Sequence, residues 1–414
     1  MTDISNDTTQ TVLVAIDIAK HNHDVLIVPA SGSKVRLRIP DTLAGYELLF
    51  ERINTFQYDH VVCGFEPTAD YHRNIAFWLG QKGVEMRLVS SLSCARAREM
   101  LFKTWDKNDR KDANVIMYLL GQGISEPFHD PLTSGVMDIQ EICNTYQQIV
   151  LSRSRVVHSL LNHGITLFFP EVERYYQNSR SEWWCEFLLK FPTPGSITRY
   201  RQQTFVKRAW KVVGRKRKKQ GFLEELYELA KHSTAIPVAV DSQSVAMFRI
   251  QLQRFLDLTR QRKDLETLAD GLLQERSDYR RLRTLPGVGP IIALMILAEG
   301  GDLRRFRHHR QFLNFCGFNL SAQQSGQHRG QYQLSKRGNA RLRYAFWLAA
   351  ASAVRNRENS FRDKFSRYIA KNPEDADLKR KGRVAVAIKM ARVAHSLVKN
   401  DCDYRGYHEY GYGT

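Results

Sequence analysis

A mostly polar stretch of ten residues precedes an apolar run, Thr11–Ile18 (TVLVAIDI), interrupted by Asp17. A run this short and this rich in β-branched side chains reads as a buried strand. Asp24–Pro29 and Lys34–Pro40 read as two more strands, with Ala30-Ser31-Gly32-Ser33 as the hairpin between them. The period then changes. Leu43, Tyr46, Leu49, Phe50 and Ile53 recur at helical spacing and give Thr42–Phe56 one apolar face. His60–Phe65 is a fourth strand, stopped at Glu66-Pro67, and Ala69–Gln81 is a helix. Val84–Val89 is a fifth strand, and from Cys94 the pattern is helical through Asp109 and Asp112 to Leu120. The order βββαβαβα calls for a mixed sheet flanked by helices.

The rest of the chain is written mainly in helical periods. Residues 126–134 form a loop and a boundary. Ile139–Phe169 is a long helix with Ile142, Ile149, Val156, Leu160 and Leu161 as its stripe. Gln177–Phe222 has no clean period. It holds Trp183-Trp184, a turn at Pro192–Gly195 and the basic run Arg215–Lys219. Ser242–Leu282 is helical again, with Leu252, Leu256, Leu265, Leu268 and Leu272 spaced to pack on a partner helix. Two long helices around a basic insertion predict a coiled-coil-like arm for oligomerisation or, equally, an intramolecular bundle. After about residue 283 the pattern stays helical. Gly382–Lys399 is strongly amphipathic, with Arg383, Lys389 and Arg392 on its polar face, and Asp401–Thr414 is a Tyr- and Gly-rich tail expected to be flexible. The divisions expected are 1–130, 131–282, 283–400 and 401–414.

Charge narrows the function. The chain has 414 residues, with 62 Lys and Arg against 43 Asp and Glu, a formal net charge of +19. The isoelectric point of about 9.7 points to a polyanionic partner, most simply nucleic acid. No apolar run approaches the roughly 20 residues of a membrane span. The first ten residues lack the features of a signal peptide, so a cytosolic or nucleoid location is expected. Six scattered cysteines with no CxxC pair argue against a zinc ribbon or a disulfide framework.

Two constellations carry candidate chemistry. The first is acidic. Asp17 ends a buried strand, where a carboxylate is costly unless it binds something. Glu66 ends another strand, and Asp109 and Asp112 are three apart on a helix, so both can face one way. Singly, each fits a structural role: a strand-end turn, a turn before Pro67, two helix-surface pairs. Together, on this strand order, they form a candidate site for one or two Mg²⁺ ions, with Mn²⁺ as a substitute. The second constellation lies in 285–343. Pro286-Gly287-Val288-Gly289-Pro290 is a tight turn between helices. Its glycines allow positive φ and close approach to another surface, and the next helix start can hold a phosphate oxygen. Gln324-Ser325-Gly326 presents a serine beside a flexible glycine. Lys336, Arg337, Arg341 and Arg343 follow as candidate phosphate contacts. A serine among phosphate-binding groups suits DNA cleavage by a protein nucleophile. Ser335 and Ser321 are the alternative nucleophiles, and Ser335 also fits a helix cap. His328 is close to Ser325 in sequence but reads more simply as a solvated loop histidine.

These motifs, in this order, resemble the bridge-RNA-guided serine recombinases of insertion sequences, also called DEDD transposases. The matching pieces are Ala15–Lys20, Phe65–Thr68, Lys107–Ala113, Leu285–Pro290, Phe312–Gly317, Gln324–Gly326 and Ser335–Asn339. The resemblance implies a ribonuclease H-like (RuvC-like) α/β domain with Asp17, Glu66, Asp109 and Asp112 as its tetrad. It implies a coiled-coil-like middle and a mostly helical C-terminal transposase domain with Ser325 as nucleophile. It further implies Mg²⁺, donor and target double-stranded DNA, a structured noncoding guide RNA, and a dimer or tetramer with a composite site. Strand exchange would pass through a 5′-phosphoserine link. Gln324 and Asn108 stand where family members often have Ser and Thr, which leaves the chemistry intact. Two rivals remain. One is a junction-resolving hydrolytic nuclease that uses the tetrad without Ser325. The other is a noncatalytic nucleic-acid-binding protein.

Overall fold

Five strands and four helices alternate in the first 121 residues as the hydrophobic periods require. The computed structural model describes residues 10–102, 109–176, 181–213, 219–321, 324–325, 328–329, 333–356 and 359–406. It divides into two units, Met1–Gly135 and Val136–Thr414.

The first unit runs β1 (Thr11–Asp17), β2 (Asn22–Val28), β3 (Val35–Pro40), α1 (Leu43–Asn54), β4 (His60–Phe65), α2 (His72–Gln81), β5 (Glu85–Leu88), α3 (Ser91–Phe102), α4 (Asp109–Gly121) and β6 (Glu126–Pro127). The sheet order is β3-β2-β1-β4-β5-β6. β1 is antiparallel to β2 and parallel to β4, so it is central and buried on both faces. That is why its sequence is continuously apolar rather than alternating. Val14, Ile16, Cys63 and Phe65 face a core completed by Leu49 and Ile53 of α1 and Ile75 and Leu79 of α2. Ala15 and Leu26 face the opposite side, under Cys94 and Ala97 of α3 and Ala113 and Ile116 of α4. β6 is the one strand of this sheet that the reading of 126–134 as loop missed. It is two residues long and ends in a proline.

α4 approaches the sheet closely because β4 has a glycine beneath it. A Cβ on Gly64 would stand 3.0 Å and 3.1 Å from the two Leu120 δ-carbons. Gly64→Ala is therefore expected to cost about 1–3 kcal/mol through overpacking, read as a lower thermal unfolding midpoint. An unchanged midpoint would mean that Leu120 moves aside freely.

The second unit begins with α5 (Met137–Ser159), a π-helical turn at Leu160–Ile165, α6 (Thr166–Phe168) and a 3₁₀ turn at Pro170–Tyr175. It continues with α7 (Ser181–Lys190), α8 (Pro194–Thr198), α9 (Gln202–Ala209), α10 (Lys219–Lys231), α11 (Gln243–Leu273), α12 (Ser277–Arg283) and α13 (Pro290–Gly300). After a 3₁₀ turn at Leu303–Arg305 come α14 (His309–Phe315), β7 (Leu320–Ser321), β8 (Gln324–Ser325), β9 (His328–Arg329), β10 (Gln333–Leu334), α15 (Ala340–Ala353), α16 (Ser360–Ile369) and α17 (Ala376–Asn400).

Two apolar cores share this unit. Val156 of α5 and Val245, Phe248, Leu252 and Phe255 of α11 lie in one. Ile139 and Cys143 of α5 and Ala269 and Leu273 of α11 lie in the other. The two helices therefore run antiparallel between the cores and pack on each other within the chain. The leucine series expected to meet a partner helix splits. Leu252 is buried, while Leu268 and Leu272 are 55% and 46% exposed. A coiled coil with another chain is thus an expectation that this packing does not establish. Most of the run Arg215–Lys219 lies outside the described residues. Of the tail, 401–406 is described and held in place: Arg281 binds Asp401 and Asp403, and Tyr404 stacks on Phe361.

Candidate active site

Strand register brings two of the four predicted carboxylates together. Ile16 of β1 is paired with Phe65 of β4 in parallel. One residue further on, Asp17 and Glu66 emerge at adjacent strand ends on the same face, since side chains alternate with period two. α4 lies over that face, and Asp112 on it is 3% exposed. Asp109 opens α4 one turn before Asp112. Nothing beyond its backbone is described.

The electrostatics of the site are already partly satisfied. Arg98 of α3 donates to Asp112 Oδ1 from Nε at 2.7 Å and from Nη2 at 2.6 Å. The Cys94 thiol is hydrogen-bonded to Glu66, and burial, then the Glu66 charge, push it well above the ordinary thiol range. Sequence reasoning missed Asp24. β2 pairs it directly with Asp17, so a fifth carboxylate shares the face. Directly opposed like charges destabilise a sheet, and the alternation of β2 was the signal that would have placed Asp24 there. Arg98 had no such signal, because only the tertiary fold brings α3 to α4.

The second constellation is organised by a hairpin. β7 pairs with β10 at its base, and β8 with β9 further out, with Ser325 opposite His328. The turn itself, 326–327, lies outside the described residues. The base is braced by a backbone crossing. Gly317 has φ +73° and Gly338 φ +135°; a Cβ on Gly338 would stand 2.5 Å from both Gly317 N and Phe315 O. Arg343 Nη1 donates to Cys316 O at 3.0 Å and Lys336 O at 3.3 Å, so it clamps this crossing. Arg341 binds Asn144 and Glu299. Both were expected as phosphate contacts, but here each is engaged within the protein. Lys336 and Arg337 are exposed.

The turn before α13 divides the same way. Gly287 has φ +86°, and a Cβ there would lie 2.5 Å from Ala349 O of α15. Its freedom serves helix packing. Gly289 caps α13 with extended backbone, and nothing lies within 4 Å of where its Cβ would be. It remains the open approach to the helix start.

Residues 14–170 match the DEDD_Tnp_IS110 family, described as "Transposase". Residues 279–366 match a second family, described as "Transposase IS116/IS110/IS902 family". Two separate stretches of the chain thus match models of IS110/IS116-type transposases. It is similar to a mini-circle protein of Streptomyces coelicolor, the transposase candidate for IS117, at 25% identity over 74% of this chain and 76% of that one. It is 24% identical to an uncharacterised protein of insertion element IS116 from Streptomyces clavuligerus, over 61% of this chain and 62% of that one. The transposase for insertion sequence element IS1111A of Coxiella burnetii is 30% identical over 34% of this chain and 38% of its own length.

The first match spans the four carboxylates, and the second spans the α13 turn, Ser325 and the four basic residues. Transposases of this kind are enzymes that cleave and recombine DNA, and a DEDD domain implies divalent metal use. Hard oxygen donors on one sheet face suit such an ion. Among the described residues, however, no three His, Cys, Asp or Glu side chains are close enough to hold one. The Asp109 side chain lies outside the described residues, and Arg98 already holds Asp112. No helix among the described residues is long and apolar enough to cross a membrane.

Arg98→Ala isolates a buried carboxylate, expected to cost about 3–5 kcal/mol without divalent metal. Thermal unfolding with and without Mn²⁺ tests the competition. The Mn²⁺-induced rise in midpoint should be larger in the variant than in the wild type; equal rises would contradict it.

Proposed function

We propose that this transposase cleaves and exchanges DNA strands through a covalent phosphoserine at Ser325, assisted by Asp17, Glu66, Asp109 and Asp112. The observation that carries the reading is the β1–β4 pairing that sets Asp17 and Glu66 one residue beyond it at adjacent strand ends, in a chain whose other unit pairs Ser325 with His328 in a two-stranded ladder. When bound to the four carboxylates, Mg²⁺ or Mn²⁺ would supply Lewis-acid stabilisation of charge on the phosphoryl oxygens. A composite site, with carboxylates from one copy and serine from another in a dimer or tetramer, is part of the proposal. So is a structured guide RNA that pairs with donor and target DNA.

The bond changes balance simply. Ser325 Oγ attacks phosphorus, the P–Oγ bond forms and the P–O3′ bond breaks. The 3′ oxygen takes a proton, and the serine proton passes to a base. His328, opposite Ser325 in the hairpin register, is the first residue to test as that base, followed by a carboxylate of the tetrad. In the reverse step a 3′-hydroxyl of the new strand attacks the phosphoserine. One phosphodiester is replaced by another, so exchange needs no nucleotide hydrolysis. That agrees with a sequence without a GxxxxGK[ST] loop.

A nicked suicide substrate tests the reading. Purified protein, the element-end RNA, DNA and Mg²⁺ should yield a protein–DNA adduct that survives denaturation and requires both RNA and metal. Free 5′-phosphate ends without an adduct would instead support the hydrolytic, junction-resolving alternative.

A further inference from the structure

Four cations line a groove that neither constellation uses. It lies between α16 and α17 and has a volume of about 640 Å³. Lys364 and Arg367 come from α16; Lys389 and Arg392 come from α17. Each pair is spaced i, i+3, so each presents two charges on one helix face. Tyr368, Ile388 and Val393 supply the apolar part of the lining. Gly382 lets the helices close at one end: a Cβ there would stand 3.1 Å from Phe365 and 3.3 Å from Tyr368.

These cations lack the compensation found elsewhere on α17. Lys379 pairs with Glu374, and Arg380 and Lys381 pair with Asp377. Among the described residues none of these ion pairs reaches Lys364, Arg367, Lys389 or Arg392. Burial, then Arg392 and Arg367, hold the Lys364 amine below its ordinary range. Burial, then Lys364 and Arg367, do the same to Lys389, against a weaker opposing pull from Asp363. Among the described residues, Asp363 pulls on Lys389 and the Lys389 amine lies 5.4 Å over the Phe361 ring, yet no ion pair reaches the four cations, so the groove concentrates positive charge. An anion seated between the pairs would relieve that repulsion.

We infer that this groove binds the sugar–phosphate backbone of a single-stranded stretch of DNA, with an unpaired base against Tyr368. The cavity is of nucleotide size, and an unpaired base is free to stack on a side-chain ring where the bases of a duplex stack on one another. A basic groove with an aromatic platform is the general solution for single strands. Tyr368 is 42% exposed, as a stacking platform must be. The choice of DNA rests on the transposase reading above. The groove itself was not legible from the family match, which ends at residue 366 and leaves α17 outside.

The test is equilibrium binding of labelled single-stranded DNA, single-stranded RNA and duplex DNA to the full-length protein over a range of salt. Arg367→Ala/Arg392→Ala removes one charge from each helix, and Tyr368→Leu removes the platform alone. Each phosphate contact on a single strand contributes about 0.7 to the slope of log K against log salt. The double variant should weaken single-stranded DNA binding by at least about tenfold and flatten the slope by about 1.4. Tyr368→Leu should weaken binding without changing the slope. Equal affinity and slope in all variants would overturn the inference. A loss confined to duplex DNA or to RNA would overturn the single-stranded DNA assignment. Unaltered circular dichroism and thermal midpoints guard against misfolding. The Ser325 adduct assay on pre-nicked substrate is a separate readout, so the groove and the phosphoserine mechanism can fail independently.

Discussion

Asp17→Asn should abolish metal-dependent strand cleavage while leaving the fold intact. The substitution keeps the size of the side chain and removes one negative charge at the end of β1, where Asp24 stands directly opposite. Removing one of two opposed like charges does not weaken a sheet and can strengthen it slightly. The thermal midpoint should therefore hold or rise. The chemistry should respond in the opposite sense, because an amide is a poor ligand for a hard divalent ion. A fall of about 10³-fold or more in cleavage rate is expected, equivalent to ~4 kcal/mol in the barrier. DNA binding should be retained, because the basic residues are untouched. Single-turnover cleavage over a Mn²⁺ titration, with binding measured in parallel, checks this. Cleavage that persists at the wild-type rate would remove Asp17 from the metal site.

Ser325→Ala should be equally severe but different in kind. It removes the attacking oxygen, so neither adduct nor strand exchange should form, while RNA and DNA binding and metal dependence of folding should be unchanged. A loss of at least about 10⁴-fold is expected, since no neighbouring group can replace the P–Oγ bond. Ser325→Cys offers a nucleophile of different hardness and should restore at most a small fraction of activity. The informative comparison is with water-dependent cleavage. If Ser325→Ala still released free 5′-phosphate ends at the wild-type rate, the chain would act as a hydrolytic nuclease.

The N-terminal sheet was legible because its strands announce themselves. A central strand buried on both faces has no room for polar residues, so Thr11–Ile16 could hardly be anything else. β6 was not legible, since two residues ending in Pro127 carry no period. The π turn at Leu160–Ile165 was hidden inside a stripe that continues through it. The hairpin around Ser325 was missed because SAQQSGQHRGQYQL has no apolar alternation. Strand ends at Asp17 and Glu66, and the one-turn spacing of Asp109 and Asp112, were legible from strand and helix periods. Their partners were not, because Arg98, Cys94 and Asp24 reach them through tertiary contact or register. The basic residues show the same limit. Four cations near a serine read alike in sequence, yet Arg343 clamps a backbone crossing and Arg341 is bound to Glu299, while Lys336 and Arg337 remain exposed.

The most direct measurement is the site of the covalent bond. The protein–DNA adduct trapped on a nicked substrate would be digested with protease and nuclease, and the modified peptide mapped by mass spectrometry. The expected result is a 5′-linked nucleotide on Ser325, absent from Asp17→Asn and Ser325→Ala. A nucleotide on Ser335 or Ser321 would contradict the assignment of the nucleophile. No modified peptide, with cleaved DNA present, would contradict the phosphoserine mechanism itself.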